Sequence, residues 1–214
     1  AGGFVPSGVY DADGADGDDF RTVGGDYYKP TDADYEANCD EARQLLADAG
    51  YPNGEGFPVV EYLYNTSDAH KAVAEALQFM WEEELGVKVT LNNQEWAAFL
   101  QTRKDGDYSI ARNGWIADYN DPISFLDMWM TGGGNNDAQY ANDDYDALIK
   151  QAKTTTDNAE RMDLLHQAED KLIGEDNVLA PLYFYTQKYM LADGIEGMYY
   201  CPLGYFFFGY THQA

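Results

Sequence analysis

Between residues 38 and 172 the apolar positions follow two periods in turn. Ala42, Leu45, Leu46 and Ala49 share one face at helical spacing. Asn38 with Glu41 three residues on is a capping-box-like start, and Gly50 is the stop. Val59–Tyr64 reads as a strand. Ser67 or Asp68 then opens a long helix carrying Val73, Leu77, Met80 and Trp81, which Gly86 ends. Val87, Val89 and Leu91 alternate with Lys88 and Thr90, the pattern of a strand with one wet face. Glu95–Lys104 is predicted helical, Tyr108–Arg112 extended and Ile123–Met130 a short helix. Two further helices show Tyr145, Leu148, Ile149 and Ala152, then Leu165, Ala168 and Leu172. Val178–Leu191 is strand-like, with Pro181 near its start. The first 35 residues carry no period, and Gly and Asp alternate through Asp11–Asp19. Alternating strands and helices predict an α/β chain with a mainly parallel sheet, and no internal repeat is visible.

Composition agrees with a globular chain. Of 214 residues 45% are hydrophobic and 15% aromatic, including 18 Tyr and 4 Trp, enough for a sizeable core. Thirteen Lys and Arg against 38 Asp and Glu give a net charge of -25, which argues against nucleic acid and against anionic membrane surfaces. No apolar stretch is long enough to cross a membrane, and no signal peptide is present. The chain opens on Ala1-Gly2-Gly3 without an initiator Met and is expected to be a piece of a longer one. Cys39 and Cys201 allow one disulfide in an oxidising compartment, although their spacing says nothing about proximity. No metal or other cofactor is expected. The acidic run at Asp11 fails the calcium-loop template, because Asp16 stands where a Gly is required and no Glu closes the loop. It reads as a solvated acidic loop.

One segment does not fit a core-only reading. Arg103 and Arg112, two of a scarce residue type, lie between Asn92 and Pro122 with Trp96, Trp115 and Asp118. Arg112 ends a predicted strand, and in sheets of this type ligands collect at the carboxyl ends of strands. A carboxylate suits an ammonium group, a guanidinium suits a carboxylate, and tryptophans make flat apolar walls. A ligand with a positive end, a negative end and an apolar middle fits that set, and a short peptide is one. Local alternatives stand beside this reading. The tryptophans suit a core, the arginines suit pairs with Asp105 and Asp107, and Asp118 suits the cap of a helix starting near Asp121.

The same segment is similar to the ligand-binding signature of the oligopeptide-binding proteins of ABC importers, the extracellular solute-binding protein family 5. The resemblance runs through NQEWAAFLQTR, ARNGW and ADYNDP. It extends upstream through YNTSDAHKAVAEALQFMWEEELGVKV and downstream through NNDAQY, the AED helix and PLYFY, covering Lys29 to Leu191. It implies a lobe of the periplasmic-binding-protein type II kind, with a mainly parallel mixed sheet flanked by helices. Residues 1–214 would then be a single domain, the C-terminal lobe of a two-lobed protein. Residues 1–35 form its loop-rich lead-in, and 192–214 a tail returning towards the missing N-terminal lobe.

The resemblance also assigns roles. Asp118 matches the partner of a peptide α-ammonium. Arg103, Arg112 and His70 match residues meeting the carboxylate end. Trp96 and Trp115 match pocket walls, and Tyr185 matches a tyrosine lining the cleft. The implied partners are short peptides, a membrane permease and the N-terminal lobe, and the implied location is extracytoplasmic, either periplasmic or lipid-anchored. Related proteins carry dipeptides, nickel, haem or sugars, and a sensing receptor would look the same. Nickel is disfavoured because only His70, His166 and His212 exist. An acidic hydrolase using Glu95 and Asp118 is the remote alternative. No nucleophile elbow, HExxH or catalytic Cys–His pattern supports it, so no enzymatic activity is expected.

Overall fold

The computed structural model describes residues 1–29, 31–201 and 204–214. Pro30 of the expected lead-in and residues 202 and 203 of the expected tail lie outside the described residues. In chain order the elements are α1 (Phe20–Gly24), α2 (Tyr35–Asp48), β1 (Val60–Asn65), α3 (Asp68–Leu85), β2 (Val89–Gln94), α4 (Trp96–Asp105), β3 (Ile110–Ala111), α5 (Ile123–Leu126), α6 (Asp143–Thr154) and α7 (Asn158–Glu169). Four short strands follow, β4 (Ile195–Glu196), β5 (Tyr199–Cys201), β6 (Tyr205–Phe207) and β7 (His212–Gln213). Contacts cluster in two compact units. One holds Ala1–Tyr27, Trp115–Asp127 and Asp144–Ala214; the other holds Tyr28–Gly114 and Met128–Asp143.

The second unit contains the parallel sheet. Its order is β2-β1-β3, so β1 is central. β1 pairs with β2 from Val60 opposite Val89 to Asn65 opposite Gln94, and with β3 at Tyr62–Ile110 and Leu63–Ala111. Side chains alternate across a strand. Tyr62 and Tyr64 therefore share one face, where they pack with Ala74, Val87 and Val89, and with Leu77, Trp81 and Leu85 of α3. Leu63 points the other way and is fully buried, as is Phe99 on α4, which packs against β1. Ser67 caps α3 and Gly86 ends it in the left-handed conformation, as the sequence predicts. The buried stripe runs through Ala74, whereas Met80 turns out to be exposed. α2 begins at Tyr35, three residues before the expected start. Asn38 sits inside its first turn and its side-chain amide donates to the Lys29 carbonyl.

In the first unit the lead-in has little regular structure yet is firmly packed. Glu169, at 0% side-chain exposure, accepts hydrogen bonds from the Phe4 and Val5 amides and from Arg21 Nη1, all at 2.9 Å. His166, one turn earlier on α7, stacks on Phe20 with ring centroids 3.9 Å apart and meets Asp11 Oδ2 at 2.8 Å. Most of the acidic run is solvated as expected. Asp11 is the exception, because His166 gives it a partner that compensates its burial. The expected strand over Val178–Leu191 is absent and those residues are irregular. An alternating pattern supplies no ladder partner, and without one a strand does not form. Cys39 and Cys201 are both free thiols.

Arg21, 7% exposed, is the counterion of Glu169. Arg21→Met leaves a carboxylate buried without it, and the expected loss of stability is about 3–5 kcal/mol. Denaturant unfolding measures it. A loss below about 1 kcal/mol would place the pair with exposed ones.

Candidate functional site

In the unit holding the sheet, three of the expected residues gather at its carboxyl edge. β1 leads through Thr66 to Ser67, whose hydroxyl accepts from the His70 amide at 3.5 Å and so fixes His70 in the first turn of α3. β2 leads to Trp96, the first residue of α4, which is 52% exposed and stacks on Phe99. Arg112 directly follows β3. Its amide donates to the Leu63 carbonyl at 2.8 Å and its Nη1 reaches Asn65 Oδ1 at 3.5 Å. Because β1 lies between β2 and β3, the chain leaves its carboxyl end at the point where the strand order reverses, the usual place for a ligand crevice. Beside it Tyr64, Thr66, Ser67, Asp68, Lys71 and Asn93 line a cavity of about 280 Å³.

His70 is held below the ordinary histidine value, first by desolvation and then by the Arg112 charge, against a hydrogen bond with the Asn65 backbone that raises it. The Arg112 charge thus acts on His70 through space, and an arriving anion would offset it.

Arg103 lies nearby but is engaged inwards. Its Nε meets Asp137 Oδ2 at 2.7 Å, its Nη1 meets Asn113 Oδ1 at 2.9 Å and the Arg112 carbonyl at 3.5 Å, and its guanidinium lies 5.1 Å from the Phe99 ring centroid. The partners considered for it in the sequence, Asp105 and Asp107, are not the ones it takes.

The other three expected residues belong to the other unit. Trp115 is half-buried, and its indole N–H donates to the Ser124 carbonyl at 2.6 Å. The Asp118 amide donates to Ser124 Oγ at 2.9 Å, while the residue itself is exposed. Asp121 precedes Pro122, the N-cap of α5; its Oδ1 accepts from the Ile123 amide at 2.9 Å and its carboxylate takes both Arg161 nitrogens at 2.7 and 2.9 Å. Because Pro122 is the N-cap of α5, the cap reading of Asp118 does not hold. Tyr185 is exposed on the irregular stretch after α7, its hydroxyl 3.2 Å from that of Tyr183. Sequence reasoning missed Asn65, Asp121 and Asp137. Asp137 stands within the NNDAQY match, yet nothing local marks it as the counterion of Arg103.

In an NMR titration His70 is expected to protonate below the ordinary histidine value, and Arg112→Gln to raise its midpoint by removing the like charge. Between the depressed folded value and the ordinary one the unfolded chain binds more protons. There stability rises with pH and is lost as pH falls. An unchanged midpoint in Arg112→Gln would show that the two groups do not interact.

Comparison with known proteins places these residues in a family. The bacterial extracellular solute-binding proteins, family 5 (middle region), match residues 7–137. The dipeptide-binding protein DppE of Bacillus subtilis is 39% identical over 191 residues, 89% of this chain and 34% of that protein. The structure of Haemophilus influenzae OppA in complex with RPPGFSPFR superposes with a TM-score of 0.66 at 34% identity, over 74% of this chain and 31% of that one. The substrate-binding domain of an oligopeptide ABC transporter from Bacillus anthracis gives a TM-score of 0.76 at 28% identity, over 100% of this chain and 40% of that one. The chain spans about a third of the length of the curated relatives it matches. Its fold is that of the type II periplasmic binding proteins, and the chain belongs to the bacterial extracellular solute-binding proteins of family 5.

Proposed function

We propose that the chain is the C-terminal lobe of a two-lobed solute-binding protein that captures short peptides by their charged ends and main chain. It passes them to an ABC transporter permease outside the cytoplasmic membrane and does no chemistry on them. Asp118 takes the α-ammonium. Arg112 and His70 take the carboxylate end, with Arg103 as the third member of the basic group. Trp96, Trp115 and Tyr185 supply apolar walls. The observation that carries this reading is the division of labour between neighbouring acids: Asp121 holds the Ile123 amide and pairs with Arg161, which leaves the exposed Asp118 carboxylate without that structural duty. The DppE and OppA names of the relatives support the ligand class.

Binding through main chain gives affinity without reading side chains, which suits a carrier of many sequences. No helix among the described residues is long and apolar enough to cross a membrane. The stretch after α7 exposes Met190 at 98% and Tyr210 at 81%, and Tyr199 and Phe207 stack 4.6 Å apart at its surface. Apolar surface of this extent marks an interaction site. We assign it to the N-terminal lobe.

Asp118→Ala in the two-lobed protein is expected to cost about 2–5 kcal/mol of peptide binding, one to several decades in Kd at about 1.4 kcal/mol per decade. Isothermal calorimetry with tri-alanine decides it, and N-acetylated tri-alanine should lose a similar amount on the wild type. Equal affinity of mutant and wild type would refute the ammonium assignment.

A further inference from the structure

The basic group at the carboxyl edge of the sheet contains an arginine that is tightly paired within the fold. Arg103 and Asp137 form an ion pair 2.7 Å long, with both side chains only 13% exposed. At that burial a paired guanidinium presents a dipole rather than a full charge to anything nearby, because its counterion sits far closer than any ligand. The neighbouring Arg112 donates from its Nη1 to Asn65 Oδ1 at 3.5 Å. The Arg103 guanidinium also reaches Asn113 Oδ1 and the Arg112 carbonyl, so it braces the backbone from which the Arg112 side chain departs.

Asp137 is itself held in place. Tyr108 donates its hydroxyl hydrogen to the Asp137 carbonyl at 2.8 Å. The adjoining Asn136 is buried, and its side-chain amide donates to the Met130 and Tyr140 carbonyls at 3.0 and 2.7 Å while its Oδ1 accepts from the Tyr140 amide at 3.0 Å. Gln139 follows at a φ of 53°. Gly106, the left-handed residue that ends α4, lies against the Gln139 side-chain amide. The segment from 128 to 143 therefore clasps the turn between α4 and β3, and Asp137 is the charged point of that clasp.

We propose that Asp137 is a positioning and charge-compensating residue. It turns Arg103 into a brace for Arg112 and removes its charge from the ligand-facing set, so that the site reads a carboxyl end bearing one negative charge in preference to two. This deepens, and rests on, the peptide reading given above. Asp137→Asn keeps an acceptor for Arg103 Nε and deletes only the charge, which separates compensation from shape.

The test compares tri-alanine with Ala-Ala-Gln and Ala-Ala-Glu on the two-lobed protein. The wild type is expected to favour Ala-Ala-Gln over Ala-Ala-Glu. Asp137→Asn is expected to shift that ratio several-fold towards Ala-Ala-Glu, Asp137→Glu to restore it, and Arg103→Met in the Asp137→Asn background to cancel the shift. A merely structural role would weaken all three peptides alike and leave the ratio unmoved, and that result overturns the proposal. A ligand-free arm follows modification of Arg103 by phenylglyoxal, mapped by mass spectrometry. Reaction should be slow in the wild type and faster in Asp137→Asn, and equal rates also overturn the proposal. Should the wild type bind no peptide while Arg103 still reacts faster in the variant, the peptide reading and the preference for one charge fail together, and the pairing of Asp137 with Arg103 stands.

Discussion

The position of β1 in the middle of a parallel sheet is the constraint on which the basic end of the site depends. Parallel strands cannot be joined by tight turns, so each connection must climb back over a face of the sheet. Here α3 makes the first crossing and α4 the second, to opposite neighbours of β1. Every strand therefore ends at the same edge, and whatever follows each strand meets there. Thr66 and Ser67 follow β1, Trp96 follows β2 and Arg112 follows β3. The six-residue register between β1 and β2 fixes this edge, since a slip by one residue would move Tyr62 and Tyr64 off the apolar face they share with α3. Burial on one face of β1 thus aligns polar residues at its end.

Much of this was legible in the sequence, because the relevant signals are local. Gly86 past the helix end, Ser67 before it and alternation through Val87, Val89 and Leu91 each describe a conformation that neighbouring residues decide. What escaped was set by distant partners. Asp11 looked like one more solvated acid until His166, 155 residues away, gave it a counterpart. Asp118 and Asp121 are both acids just before a helix, and only the arrival of Arg161 at Asp121 shows which one the fold uses. Val178–Leu191 has a strand's pattern and no strand's partner. Charge pairing and ladder pairing are long-range, so periodicity carries neither.

The two ends proposed for the ligand differ in how the fold treats them. The acid, Asp118, is exposed on a short loop whose amide is tied to Ser124. The bases sit on a sheet edge, half-buried, and burial first, then the Arg112 charge, hold His70 below its ordinary value. An anion that enters beside Arg112 would raise the proton affinity that burial and the Arg112 charge take from His70. An exposed carboxylate in a chain of net charge -25 responds less to its neighbours, because water and salt screen it. On the proposed reading, the carboxylate end of a ligand is the end that meets a group whose protonation the fold already perturbs.

The clasp around Asp137 limits the charge gathered at this edge. A guanidinium placed at the same edge as Arg112 and His70 adds another positive charge there unless a counterion cancels it. Removing it would give up the brace on the Arg112 backbone. Pairing Arg103 with an acid from a distant segment keeps the geometry and discards the charge. It also links the edge of the sheet to the segment from 128 to 143, whose shape rests on the side chain of Asn136. Buried ion pairs add little to stability on balance, so this one is better understood through the two groups it governs, the backbone it holds and the charge it removes.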